Sequence, residues 1–297
     1  MVRTLSLGNI RRGGLLAIAA AVLFGLSTPA AKEIVGNVQP LLLAGLLYLG
    51  SGIGVGVLIL AGHRRGARMK RADLPWLLAT VFFGGALGPA LLMWGLTQTT
   101  GSVASLLLTL EGVFTALIAW IVFREPFNRR IGLGMASIFV GAVALSLSAR
   151  SGHATVIGSL TVAGACLSWA IDNNCTSKIA DVDALTLASI KGIIAGSANT
   201  VLALATGASI PSIGLAAGSA LVGFLGYGLS LVLFVLALRE VGAARTGAYF
   251  STAPFIGSVV ALAGLREPLT ATLIAAGFLM AFGVYLHLTE QHRDAPS

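Results

Sequence analysis

One carboxylate, Glu111, stands near the middle of an apolar run over residues 101–123. A charged side chain at such a depth costs a few kcal/mol, so the residue belongs in a polar cavity. There a carboxylate can attract the amino group of a small molecule or take up and release a proton. The competing reading is that it is protonated or paired with a polar neighbour and only pins helices together. A second concentration of polar groups lies at Ser168, Trp169, Asp172, Asn173, Asn174, Cys175 and Thr176. Ser168, Asp172 and Thr176 recur at i, i+4 and i+8 and form one stripe; Trp169 and Asn173 form the stripe beside it. Such a face should turn toward the centre of a bundle, although a helix-end role or a structural pair competes for Asp172. Lys191, a third of the way into another apolar run, could snorkel to an interface or pair with an acid, and the structural role is preferred. Lys32 and Glu33 could gate one end, but a solvated helix end is the simpler account.

Backbone acceptors add to this chemistry. A proline inside a helix frees the carbonyl four residues earlier, which must then find protein, water or ligand. Pro29 frees Gly25, Pro89 frees Gly85 and Pro254 frees Phe250, with Ser27, Thr28, Ser251 and Thr252 alongside. Either three packing kinks or a hinged cavity follows, and the three together favour the cavity. Trp94, Trp169, Tyr227, Tyr249 and Phe250 could form an apolar wall for the side chains of a cargo, against lipid-facing or core roles. Gly50 and Gly54, Gly52 and Gly56, Gly84 and Gly88, and Gly192 and Gly196 are spaced by four, which lets helix backbones touch. Moving helices or a dimer interface would both use such contacts, leaving monomer and homodimer open.

The elements that position these residues must be membrane helices. Hydrophobic residues make up 56% of the 297 positions, charged residues 10%, and the mean hydropathy is +0.92, so the solvent of this chain is lipid. Charges, prolines and polar residues divide it into ten runs long enough to cross a bilayer. They fall near 13–32, 39–61, 74–97, 101–123, 130–149, 155–177, 184–206, 213–238, 242–265 and 270–289, numbered here as spans 1 to 10. Arg3, Arg11 and Arg12 precede the first run, but its length, its Pro29 and the lack of a small-x-small site make it a permanent helix and not a leader. Fifteen Lys and Arg residues then fall on the side of the N-terminus against three, Lys32, Arg150 and Arg266, on the other. That bias expects both termini in the cytoplasm of a bacterial-type inner membrane. The net charge of +8 is thereby accounted for by loop residues, and no nucleic-acid partner is expected.

The halves copy each other at an offset of 142 residues: Gly50 and Gly54 recur as Gly192 and Gly196, Gly84 as Gly226, Gly141 as Gly283, and Arg124-Glu125-Pro126 as Arg266-Glu267-Pro268. Each copy holds five spans, so the second must enter the membrane from the opposite side. The expected fold is an all-α polytopic membrane protein with ten transmembrane helices in two inverted five-helix repeats, residues 13–149 and 155–289, joined by a linker near 148–155.

Enzyme classes with readable signatures are excluded. There is no Walker phosphate loop, no His-Glu-x-x-His, no Gly-x-Ser-x-Gly and no cysteine cluster. Cys166 and Cys175 lie about 13 Å apart along one helix, beyond disulfide reach. His287 and His292, near the C-terminus, make a poor metal site. No catalytic residue, metal or cofactor is assigned.

On the doubled five-helix hydropathy, the Glu-Pro after spans 4 and 9, and Ala253-Pro254-Phe255 in span 9, the chain resembles the drug/metabolite transporter superfamily. The likeness is to its ten-helix, two-repeat EamA branch, to which the YddG-like amino-acid exporters belong. It departs from symmetry where Gly112, preceded by Glu111, stands opposite Pro254. The resemblance implies a cavity near the bilayer midplane lined by spans 1, 3, 4, 6, 8 and 9. Spans 5 and 10 would then be outer scaffold and spans 2 and 7 gates. It also implies export of amino acids, aromatic ones included, and related small metabolites by alternating access. Efflux of lipophilic or quaternary-ammonium drugs is the alternative, and an intramembrane enzyme a more distant one. Thr28, Trp94, Glu111, Trp169, Asp172, Asn173, Tyr227, Tyr249 and Ser251 are the candidate binding residues. Pro29, Pro89, Pro254, Gly50, Gly54, Gly192 and Gly196 are the candidate hinges and gates.

Overall fold

Lipid offers no hydrogen-bond partner to a peptide group, so each apolar run must close its own backbone bonds, and a helix is the way one segment can do so. A computed structural model describes residues 7–63, 69–125, 127–148, 155–179 and 182–291. The linker near 148–155 lies largely outside the described residues, as do Arg3, Arg64, Arg65, Arg68, Arg150 and Arg293 among the charges used for orientation.

Among the described residues the chain is all-helical, with nine helices long and apolar enough to cross a membrane and a tenth, shorter apolar helix, Ala271–His287. Span 1 is Leu7–Val35, unbroken through Pro29; span 2 is Pro40–Leu58 with a π-turn to His63; span 3 runs over Arg71–Thr97. Span 4 is split into Gly101–Leu107 and Leu110–Phe123, and span 5 is Arg129–Ser148. Spans 6 and 7 are Val156–Ser177 and Ala184–Ala205, and span 8 covers Ile213–Val241. Span 9 is split into Ala243–Phe250 and Ala253–Gly264, and span 10 is Ala271–Gln291.

The 142-residue offset reappears as backbone geometry. Spans 3 and 8 each contain a π segment, Thr80–Leu87 and Phe224–Leu229. The segments close with equivalent bonds, Gly88 N–H to Phe83 O and Ser230 N–H to Leu225 O. Spans 4 and 9 both end in a left-handed arginine, Arg124 at φ 56° and Arg266 at φ 55°, the two non-glycine residues with positive φ among those described. Both spans also break in mid-membrane, and at each break a hydroxyl at the same offset donates to the carbonyl three residues back: Thr109 to Leu106 at 2.8 Å and Ser251 to Ala248 at 2.7 Å.

Packing obeys the same exchange of halves. Span 1 lies against spans 8 and 9 as span 6 lies against spans 3 and 4, while spans 2 and 7, 4 and 9, and 5 and 10 pair with each other. These three self-pairs are antiparallel. Gly45 faces Thr200, Gly52 faces Gly192 and Gly56 faces Ser189; likewise Gly134 faces Gly283 and Gly141 faces Ala276. Ser137 Oγ donates to Leu279 O at 2.7 Å in the last pair. An inverted duplication requires this arrangement.

Spans 2 and 7 also touch backbone to backbone. A Cβ on Gly192 would sit 2.6 Å from Gly52 Cα and 2.8 Å from Tyr48 O, and one on Gly196 2.6 Å from Leu49 N. Gly50 and Gly54 turn instead to Ala220 and Phe224 of span 8. Without a hydrophobic force between helices in lipid, this contact of backbones is what dispersion and Cα–H···O interactions act on.

Gly192→Ile is therefore expected to lower the thermal unfolding temperature in detergent, at a cost of about 1–3 kcal/mol for overpacking. Gly264→Ala, where a Cβ meets nothing within 4 Å, should leave it nearly unchanged.

Candidate functional site

The break in span 4 leaves Glu111 in the first turn of its second helical piece, half-buried, and opposite it runs the polar face of span 6. Asn173 Nδ2 donates to Glu111 Oε1 at 2.8 Å, and Asn174 Nδ2 donates to Thr115 O at 3.2 Å. Asp172, one residue along, turns the other way. Its Oδ2 is 2.6 Å from Lys191 Nζ of span 7 and its Oδ1 accepts from Thr176 Oγ1 at 3.2 Å.

Span 3 stands behind this pair and makes room for it. A Cβ on Gly84 would run into the Asp172 carboxylate, and one on Gly85 would meet Lys191 Cγ at 2.9 Å and Ala195 Cβ at 2.6 Å. The carbonyl freed by Pro89 is also here, but it belongs to Gly84 and not to Gly85. In the π register each N–H reaches five residues back, as Gly88 N–H does to Phe83 O, so the donor that proline lacks is the one owed to Gly84. Two side chains replace it: Tyr48 Oη at 2.8 Å and Trp169 Nε1 at 3.0 Å.

These groups wall two adjoining cavities of about 590 and 400 Å³, which share Phe24, Glu111, Asn173 and Phe250. The smaller is lined by the Asp172–Lys191 pair and by Tyr48, Trp169, Tyr227 and Phe234. Its rings touch in series: Tyr48 to Tyr227 at 5.6 Å, Tyr227 to Phe24 at 5.9 Å, Phe24 to Phe250 at 5.4 Å and Phe250 to Phe234 at 4.9 Å. The larger extends past Ser251, Pro254 and Trp120 to Glu125, Phe127 and His287, at the end of the bundle that carries Arg124.

The opposite end is closed. Both oxygens of Glu267 accept backbone N–H groups at the start of span 4, from Gly101 at 2.6 Å and Ser102 at 2.8 Å. Lys32 Nζ donates to Leu96 O at 2.6 Å nearby, so it holds span 1 to span 3 and is not a freely solvated helix end.

Of the residues expected from sequence, Glu111, Trp169, Asp172, Asn173, Tyr227 and Ser251 meet at the cavities. Three do not. Trp94 is 48% exposed on the outside of the bundle, Tyr249 lies with its ring 3.5 Å from where a Cβ on Gly14 would be, and Thr28 is buried within the helix packing. Helical position explains the first two, since Phe250, one residue on from Tyr249, takes the inward face. The lining also differs: spans 2 and 7 contribute Tyr48, Ser51 and Lys191, spans 5 and 10 contribute Ile131, Ile138 and His287, and span 3 stands behind Trp169. Phe24, Tyr48 and Phe234 were missed because an apolar ring carries no polar signal of its facing; the phase set by Ser27 in span 1 and Ser230 in span 8 was the usable clue. Among the described residues no cluster of His, Cys, Asp and Glu could hold a metal.

Ten spans in two inverted halves, around a cavity open at one end and closed at the other, define a membrane transporter. Its partners are the bilayer and a small-molecule cargo. The chain belongs to the EamA-like transporter family, whose profile matches residues 11–147 and again 156–289. It is similar to an uncharacterized transporter of Methanothermobacter thermautotrophicus, 28% identical over 290 residues covering 91% of this chain and 84% of that protein. The uncharacterized transporter YvbV of Bacillus subtilis is 24% identical over 93% of this chain and 91% of its own length. A probable amino-acid metabolite efflux pump of Salmonella typhimurium is 27% identical over 57% of this chain and 54% of its own length. A solved crystal structure shares the fold at a TM-score of 0.68 and 17% identity, over 96% of this chain and 98% of that one.

Tyr48→Phe and Trp169→Phe should each destabilise the protein by about 1 kcal/mol, and the double substitution by more than the sum, because Gly84 O then has no donor. Pro89→Ala in the double background should recover part of the loss by restoring an N–H, as read from thermal unfolding in detergent.

Proposed function

We propose that this protein exports amino acids, aromatic ones included, and related small metabolites from the cytoplasm of a bacterial-type cell by alternating access, in the manner of the YddG-like exporters. The observation that carries the reading is Glu111, a carboxylate held by Asn173 at 2.8 Å in the wall of cavities shared with an aromatic rim. A zwitterion needs an anionic partner for its amine and an apolar surface for its side chain, and pockets of several hundred Å³ suit solutes of that size. The partial likeness to probable amino-acid metabolite efflux pumps supports the same class. Fifteen Lys and Arg residues on the side of the termini against three opposite support cytoplasmic termini, and with them a cavity open to the cytoplasm.

The rings of Phe24, Tyr48, Tyr227 and Phe250 around Glu111 favour one second reading, efflux of lipophilic or quaternary-ammonium cations. Counterflow in proteoliposomes against a panel of amino acids, with and without a pH gradient, tests the first reading. Accumulation of labelled amino acid is expected, and accumulation of a quaternary ammonium alone would replace that reading with the second. Glu111→Gln should abolish cation efflux, whereas amino-acid counterflow should fall but persist.

A further inference from the structure

The Asp172–Lys191 pair is lopsided. Asp172 has both oxygens engaged, by Lys191 and by Thr176, whereas Lys191 makes one hydrogen bond and carries three N–H donors. The two remaining donors have no partner among the described residues, yet Lys191 lines the smaller cavity with Glu111 and Asn173. Glu111 is likewise bonded through Oε1 only. The cavity thus presents a carboxylate oxygen and an ammonium, each with bonding capacity open, beside a row of rings.

We infer that Lys191 is a specificity residue that receives the carboxylate of the cargo, so that a zwitterion is held between Glu111 and Lys191. The inference rests on the amino-acid reading above and names the group that rejects simple amines. A plain cation would leave the Lys191 donors unmatched and its charge repelling the ligand, while a zwitterion satisfies both ends.

The test compares labelled phenylalanine with phenethylamine, the same molecule without its carboxylate, in counterflow by the full chain. Asp172→Asn with Lys191→Gln keeps a hydrogen-bonded neutral pair and avoids a lone buried charge. That double variant should lose at least tenfold in phenylalanine transport relative to phenethylamine. If the double variant does not fold, Lys191→Arg must change the KM for phenylalanine and not that for phenethylamine. An unchanged ratio in a variant that still transports, or an unchanged KM in Lys191→Arg, would show Lys191 to be structural and leave the amino-acid reading standing. Wild-type protein that moves no amino acid would overturn both.

A different observation carries a second inference. Glu267, presented by the left-handed Arg266, clasps the N–H groups of residues 101 and 102 at the closed end. At the offset of 142 its counterpart is Glu125, presented by the left-handed Arg124, and the counterparts of 101 and 102 are 243 and 244. At this open end Glu125 is exposed and has no side-chain bond to a described residue, and the helix Ala243–Phe250 has no side-chain cap. We propose that the two glutamates are alternating clasps: in the opposite state Glu125 closes on the N–H groups of residues 243 and 244 and Glu267 lets go.

Paired substitutions test this in a chain carrying Cys166→Ala and Cys175→Ala, with Ser251→Cys as a reporter in the cavity. Glu125→Gln should raise labelling of the reporter by an impermeant thiol reagent applied from the Arg124 side, by removing the clasp of the competing state. Glu267→Gln should lower it, each by about tenfold or more, the size expected of losing one charge-assisted hydrogen bond. Shifts in the same direction, or none in variants that unfold at the wild-type temperature, would overturn the proposal. If either single variant does not fold, Glu125→Asp and Glu267→Asp carry the same opposite-sign expectation.

Discussion

The ion pair between Asp172 and Lys191 is the interaction around which the rest of the bundle is arranged. Two charges within the membrane are tolerable only if they meet each other, and the desolvation cost makes such a pair weak evidence of stability by itself. What it does is fix neighbours. Gly84 and Gly85 are the residues of span 3 that can pass Asp172 and Lys191, and the π-turn that contains them shifts an unmet carbonyl onto Gly84. Tyr48 and Trp169 must then face that carbonyl, which sets the rings of spans 2 and 6 at the cavity. A single buried pair thus positions three helices from both halves.

Inversion of the repeat explains why the ends of the molecule differ. Spans 4 and 9 are mates lying antiparallel, and each carries the same parts: a glutamate-bearing turn at one end and first-turn N–H groups at the other. Where the first piece of span 4 meets the second piece of span 9, Gly257 faces Ser105 and the Gly25 carbonyl freed by Pro29, and Glu267 closes over them. The remaining pieces, Leu110–Phe123 and Ala243–Phe250, have the wider cavity between them. Two chemically similar ends thus sit in two different packings, the asymmetry that the proposed alternating access would exchange.

Much of this was legible in the sequence for a specific reason. Lipid forces every span into a helix, so a hydropathy pattern fixes the elements, and an odd number of spans per copy fixes the inversion. Glu111, Asp172 and Asn173 were legible because polarity at membrane depth has few uses. Aromatic facing was not: Trp94 and Tyr249 look as suitable as Trp169 and Tyr227 until packing turns them outward or against Gly14. The Gly85 acceptor was misplaced by one residue because a π-turn depends on tertiary contacts and has no local sequence mark. Lys191 read as structural because a lysine in an apolar run can snorkel or pair with an acid, while its two open donors are a matter of geometry.

The breaks in spans 4 and 9 lie at the level of the two cavities, and this placement has a mechanical consequence. Leu108 and Thr109 lie three and two residues before Glu111, and Ser251 and Thr252 sit between the cavity residues Phe250 and Pro254. A helix interrupted at its middle can tilt one piece while the other stays packed, and the hydroxyl bonds of Thr109 and Ser251 keep carbonyls satisfied at the joint. Movement at either joint changes the cavity wall and one end of the bundle together. Under the alternating-access reading proposed above, a cargo touching Glu111 or Ser251 would contact the residues next to the joints, and its binding energy would act at the places free to move.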